Sequence, residues 1–148
     1  MYEEWMQASL VLAMEAAERD EVPVGAVVVR DNKIVGKGFN QPISREDPTA
    51  HAEVMAIRDA AKNLGNYRLP ECTLVVTVEP CTMCAGALVH ARIKQLIFGA
   101  KEPRSGAICS SARVLDNSGL NHKMTVVGGV LERECKALMS GFFHERRR

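Results

Sequence analysis

Three metal-binding side chains and one spare carboxylate stand at two places in this 148-residue chain, His51-Ala52-Glu53 and Pro80-Cys81-Thr82-Met83-Cys84. Cys81 and Cys84 are three positions apart, so on a helix both sulfurs leave from one face and can chelate a single ion. A helix N-terminus also favours the thiolate that binds metal. His51 supplies a third donor, and three protein ligands leave the fourth tetrahedral position of Zn²⁺ open, as in a catalytic rather than a structural centre. Two thiolates and a neutral imidazole bring the divalent ion to neutrality, whereas a third thiolate would make the site an anion. The set therefore keeps more Lewis acidity and can drive a bound water toward a neutral pKa. Glu53 lies two residues beyond His51, about 200° around an ideal helix. That places it beside the metal rather than on it, where a carboxylate can take a proton from the water and deliver it to substrate and leaving group.

Taken singly, each signal has a plainer reading. Cys-x-x-Cys also suits a redox pair, half of a structural zinc site or two packed thiols, and a lone histidine is often a partly buried structural residue. Cys72, Cys109 and Cys135 lie in apolar surroundings. If one of them supplied a fourth thiolate, the centre would be a closed structural Cys₃His site; otherwise all three are core thiols.

The elements around these residues follow from hydrophobic periodicity. Residues 2–19 space Trp5, Met6, Ser9, Leu12, Ala13 and Ala16 at helical intervals with acids between them, which predicts an amphipathic helix. Two apolar runs, 25–30 and 33–39, flank Asp31-Asn32 and predict a hairpin. The first run is apolar on consecutive residues, so both of its faces should be buried, with helices on each side. Further strand signals at 73–78, 95–98 and 124–127 alternate with helical ones, which predicts a three-layer α/β/α architecture around a sheet of about five strands. The stretch 99–123 is long enough for a crossover, so the last two strands are expected parallel. Asp47-Pro48 and Glu79-Pro80 each put proline where a first helical residue belongs, and Gly65 stops the first of those helices. A last helix is expected over 131–147, with Leu131, Cys135, Leu138, Met139 and Phe142 on its packed side.

Size and composition bound the rest. A chain of 148 residues with 47% hydrophobic and 25% charged residues is expected to form one domain, 1–148, and lies far from the composition of disordered chains. The acidic start, Met1-Tyr2-Glu3-Glu4-Trp5, and the absence of a long apolar run predict neither an export leader nor a membrane span. With the odd number of cysteines, five, this points to a reducing cytoplasm. Net charge is only +1, yet residues 1–21 hold six acids against one base, while 122–148 hold six Lys or Arg against three acids. The terminal run ending in Arg146-Arg147-Arg148 either tracks a phosphate backbone or is a solvated helix end.

The pattern His-x-Glu followed by Pro-Cys-x-x-Cys is the one zinc nucleobase deaminases carry. Beyond it, Glu21-Val22-Pro23-Val24-Gly25-Ala26, the residues from Asp47 through Glu53, Asn66-Tyr67-Arg68-Leu69, Pro80 through Ala87, Phe98-Gly99-Ala100 and Gly119-Leu120-Asn121-His122 closely resemble the bacterial tRNA-specific adenosine deaminases. That resemblance runs from about Trp5 to Arg147. It implies a cytidine-deaminase-like fold, a homodimer with one Zn²⁺ per subunit, and a tRNA anticodon stem-loop as partner. The implied reaction is hydrolytic deamination of adenosine to inosine at the wobble position of an arginine tRNA, with zinc hydroxide attacking C6. The family's metal ligands fall on His51, Cys81 and Cys84 and its proton shuttle on Glu53. Its substrate contacts fall on Asn40, Ala52, the Pro23-Val24-Gly25 backbone and Glu102, where relatives commonly carry aspartate. Gly25 would give a planar base room to approach, or be a packing glycine. Lys101, Arg104, Phe143, Arg146 and Arg147 are candidate RNA contacts, although Phe142 is expected in the core. Two rivals stay open: a free guanine- or cytosine-type deaminase of the same fold, and a non-catalytic zinc-stabilised RNA-binding module.

Overall fold

Asp31 and Asn32 both take left-handed backbone conformations, with φ of 52° and 61°, and turn the chain from β1 (Gly25–Arg30) into β2 (Lys33–Phe39). This is the two-residue hairpin turn that matches strand twist, and Arg30 faces Lys33 across it. The computed structural model describes residues 1–117, 119–120 and 122–146. On its other edge β1 pairs antiparallel with β3 (Thr73–Val78), which pairs parallel with β4 (Gln95–Ala100), and β4 pairs parallel with β5 (Thr125–Val127). The result is the expected mixed sheet of five strands, in the order β2-β1-β3-β4-β5.

Alternation along the strands sorts the core into two layers. Ala26, Val28, Leu74, Val76, Leu96 and Phe98 pack with Ala52, Ala56 and Ala60 of α2 (Ala52–Leu64) and with Ala85 and Leu88 of α3 (Thr82–His90). Val27, Val29, Val75 and Ile97 pack with Met6 of α1 (Tyr2–Glu18) and Cys135 of α4 (Glu132–Arg146). Each fully buried branched side chain contributes roughly 1.5–3 kcal/mol, which is why β1 carries valines on both faces. Ser9, fully buried on α1, donates its hydroxyl to the Val75 carbonyl at 3.0 Å and seats that helix on the sheet. Gly25 lets α1 come close: a Cβ there would stand 2.5 Å from Ala13 N and 2.9 Å from Leu12 Cβ.

Two expectations need correction. Neither proline opens its helix. Asp47 Oδ1 accepts from the backbone and hydroxyl of Thr49, and Gln41 N–H donates to the Ala50 carbonyl, so residues 47–50 form a turn. The helix starts only at Ala52, with His51 as its N-cap. The Pro80 carbonyl likewise accepts from Ala107 N–H, and α3 starts at Thr82 behind Cys81. Gly65 does end α2, as a left-handed C-cap with φ 67°. The second correction concerns Phe142: Cys135, Leu138 and Met139 are shielded on the packed side of α4 as expected, with Cys135 fully buried. Phe142 is only half-buried, lying beneath the Arg146 guanidinium at 4.5 Å. Arg147 and Arg148 lie outside the described residues. Among the described residues no helix is long and apolar enough to cross a membrane.

Candidate active site and metal centre

His51 and Cys81 are the N-caps of α2 and α3, both in extended backbone with ψ of 154° and 178°. Capping brings two helix N-termini, each a partial positive charge, to one place between the ends of β1 and β3. There His51 Nδ1 lies 3.6 Å from Cys81 Sγ and 3.4 Å from Cys84 Sγ. The three donor atoms all fall within 4.8 Å of one another, and the group could hold a metal ion. Among the described residues no fourth histidine, cysteine or carboxylate joins it. Cys72 and Cys135 are buried on opposite faces of the sheet, and Cys109 sits in the loop after β4 next to Ser110, so the closed Cys₃His alternative finds no fourth thiol.

The three donors hold their protons unevenly. Hydrogen bonds from Cys84 and His51 hold the Cys81 thiol down to about 3, while that same contact and burial push Cys84 up. The His51 imidazole is raised by its hydrogen bond to Cys81 against the opposing effect of burial, with the charges of Glu53 and Cys81 adding to the rise. Glu53 is 4% exposed and stands beside the three donors rather than among them. Burial is the main cause pushing its carboxyl up to about 7, with the Cys81 charge adding to it and its own backbone N–H opposing.

A cavity of about 180 Å³ lies over these residues, walled by Val22, Val24, Asn40, Val78, Glu79, Glu102, Ser105, Met139 and Phe143. That is smaller than the roughly 300–1,000 Å³ pockets of drug-sized ligands and of the order of a single base. Asn40 accepts from Ala52 N–H through Oδ1 at 2.8 Å, which ties the end of β2 to the start of α2. Its amide N–H groups have no acceptor among the described residues, so they are free to serve a ligand. Of the proposed substrate contacts, Val24, Asn40 and Glu102 reach the cavity; Pro23, Gly25 and Ala52 are not among its walls. Gly25 meets α1, and Ala52 is fully buried. Val22, Val78, Glu79, Ser105 and Met139 complete the wall, none of them a site candidate in the sequence. An aliphatic residue at a strand end or on α4 has the same sequence signature whether it faces core or cavity.

Val78, Glu102, Met139 and Phe143 also line a wider groove of about 640 Å³, together with Lys101, Lys136 and His144. Lys101 and Phe143 are therefore on the rim; Arg104 is not among the groove's lining residues, although its backbone N–H donates to the Glu102 carboxylate at 2.9 Å. Arg146 instead pairs with Asp20 at 2.7 Å. Arg147 is outside the described residues. The least expected wall residue is Glu79, 3% exposed, which accepts backbone N–H groups from Glu102, Ile108, Cys109 and Ser110 and the Ser110 hydroxyl. Burial alone would raise its carboxyl, but these donors hold it down to about 2.

A family model of MafB19-like deaminases matches residues 2–147. The tRNA-specific adenosine deaminase of Haemophilus influenzae is 51% identical over 146 residues, covering 98% of this chain and 84% of that protein. A solved structure from a study of A-to-I editing by tRNA:A34 deaminases at the wobble position of transfer RNA superposes with a TM-score of 0.89 at 43% identity, over 91% of this chain and 98% of that one. A structure of the guanine deaminase from Nitrosomonas europaea superposes with a TM-score of 0.82 at 26% identity, over 95% and 83% of the two chains.

Proposed function

We propose that this chain, which belongs to the MafB19-like deaminase family and within it to the tRNA-specific adenosine deaminases, hydrolyses the wobble adenosine of a tRNA anticodon to inosine and ammonia. The likeness over nearly the whole chain carries this reading: identity is 51% to a tRNA-specific adenosine deaminase and 26% to a guanine deaminase. An anticodon loop offers unpaired bases, so extruding one costs less than flipping it from a duplex.

The donor set fits zinc. Tetrahedral bonds of about 2.3 Å to sulfur and 2.0–2.1 Å to nitrogen separate a histidine nitrogen from each thiolate by about 3.5 Å; the chain sets them at 3.4 and 3.6 Å. His51, Cys81 and Cys84 would hold the ion, one per subunit. Zinc held there would supply the Lewis acidity that lowers the pKa of the attacking water. Glu53 would carry the protons: its carboxylate oxygen accepts one from the attacking water and gives it to the ring nitrogen beside C6, then accepts the second from the hydroxyl now on C6 and gives it to the amine as the exocyclic C6–N bond breaks. Burial, which disfavours the charged form of the Glu53 carboxyl, favours its taking up a proton from water. Asn40 is positioned to donate to the nucleoside, and Val24, Val78 and Met139 exclude water around the base.

The partner we favour is the anticodon stem-loop of an arginine tRNA, bound by a homodimer in the cytoplasm, with residues 1–148 as one catalytic domain. Zinc-loaded protein incubated with that stem-loop, free adenosine, cytidine and guanine should form inosine in the loop and leave the free compounds largely unchanged, measured by chromatography and ammonia release. Turnover of free guanine or cytidine alone would assign the free-base reading, and RNA binding without turnover the non-catalytic one.

A further inference from the structure

We infer that Glu79 is a positioning residue whose carboxylate holds the rim loop, residues 101–110, against the substrate cavity. The inference rests on the deaminase reading above and concerns how the same site meets its RNA.

This loop has no helix or strand of its own after β4 ends at Ala100, yet it carries Glu102 and Ser105 to the cavity wall and Lys101 to the groove. Its internal backbone bonds include Gly106 N–H to the Glu102 carbonyl at 2.8 Å. Its anchorage is Glu79. Oε1 accepts from Glu102 N–H at 3.1 Å and from the Ser110 hydroxyl, and Oε2 accepts from the N–H groups of Ile108, Cys109 and Ser110 at 3.0, 2.8 and 3.0 Å. Two backbone bonds continue the seam, Glu79 N–H to the Ala100 carbonyl and Ala107 N–H to the Pro80 carbonyl, each 2.8 Å. The loop closes so tightly that a Cβ on Gly106 would stand 2.5 Å from Glu79 Cδ and Oε1.

Glu79 lies two residues before Cys81 and faces the cavity, which superficially makes it a second candidate proton carrier. Its hydrogen bonding argues otherwise. Donors occupy both oxygens, whereas Glu53 takes no bond from the rim loop. A carboxylate that satisfies four backbone N–H groups fixes a loop, because those amides have no other partners of comparable strength. Glu79 therefore joins the metal-binding segment after β3 to the loop that contacts the nucleotide, and acts on substrate through Glu102 and Ser105.

The test uses full-length metal-loaded protein, with three readouts on Glu79→Gln, Glu79→Asp and Gly106→Ala: metal content, amide hydrogen exchange and kinetics on the anticodon stem-loop. Glutamine keeps the size but replaces an acceptor by a donor aimed at backbone N–H groups. Metal content should match wild type, exchange across 102–110 should accelerate about tenfold or more while β1 and β3 stay protected, and KM should rise by about tenfold or more with a smaller fall in kcat. Glu79→Asp should recover part of both changes, and Gly106→Ala, whose Cβ would press on the Glu79 carboxylate, should reproduce them with the acid itself kept, which decides the question if Glu79→Gln does not fold. Unchanged exchange and KM in Glu79→Gln, or loss of metal in proportion to activity, would overturn the assignment. If wild type itself fails on the stem-loop, the deaminase reading falls, and exchange across 102–110 still decides whether Glu79 holds the loop.

Discussion

Two glutamates 3–4% exposed face one small cavity and are pushed in opposite directions, Glu53 up to about 7 and Glu79 down to about 2. Environment, not residue type, separates a carboxyl that can carry a proton from one that stays an acceptor. Glu53→Gln should therefore retain metal, measured by atomic emission, while deamination falls on the order of 10²–10⁴-fold; loss of metal along with activity would instead make Glu53 a ligand. At this scale the sequence was legible where chemistry constrains spacing. His51, Cys81 and Cys84 converge as expected because few other roles require those residue types at those intervals. Glu79 was illegible because its partners come from a loop more than twenty positions downstream, and nothing local distinguishes it from an acid at a helix start.

At the level of elements, the loop leading from β2 to α2 sets His51, and it is held by a third buried acid. Glu21 is 1% exposed and accepts the N–H groups of Ile43 and Ser44 and the Ser44 hydroxyl at 3.2, 2.7 and 2.7 Å. Burial works against its charge, yet these bonds hold its pKa below the ordinary carboxylate value. A folded-state pKa below the unfolded one contributes stability that is present above about pH 4.3 and lost as pH falls through the folded value. Glu21→Gln should thus cost roughly 1–3 kcal/mol in urea unfolding at pH 6, and the gap to wild type should narrow at pH 3.5; a constant gap would mean that its charge plays no part. The same segment shows why the helix start was misplaced. Asp47-Pro48 carries the local signature of a first helical turn, but the Asp47 side chain and the pairing of Ala50 with Gln41 spend those residues on a turn. The hairpin of β1 and β2 and the two-faced burial of β1 were readable because turn residues and apolar runs report them locally, whereas the order β2-β1-β3-β4-β5 was not. Nor was the cavity-lining role of α4, since its apolar spacing is the same whether a side chain meets only the core or, like Met139, also a cavity.

Over the whole molecule, a net charge of +1 conceals a division between an acidic first helix and a groove rim bearing Lys101 and Lys136. Part of the basic C-terminus is already engaged, since Arg146 reaches back to Asp20. The groove lysines Lys101 and Lys136 are the first phosphate contacts to expect, and the exposed Arg146–Asp20 pair is weak enough to yield Arg146 to a phosphate as well. Stem-loop affinity should weaken with salt, and Lys101→Ala and Lys136→Ala should each reduce the slope of log K against log salt by about 0.7; a slope unaffected by either would place the backbone elsewhere. The account joins a metal-supported hydrolytic site to one nucleotide of one RNA, and mapping inosine by sequencing a full-length arginine tRNA after incubation with zinc-loaded protein tests that join most directly. A single inosine at the wobble position, absent with Glu53→Gln, is the predicted result. No inosine in the tRNA from metal-replete, folded protein, or inosine scattered over other exposed adenosines, would contradict it.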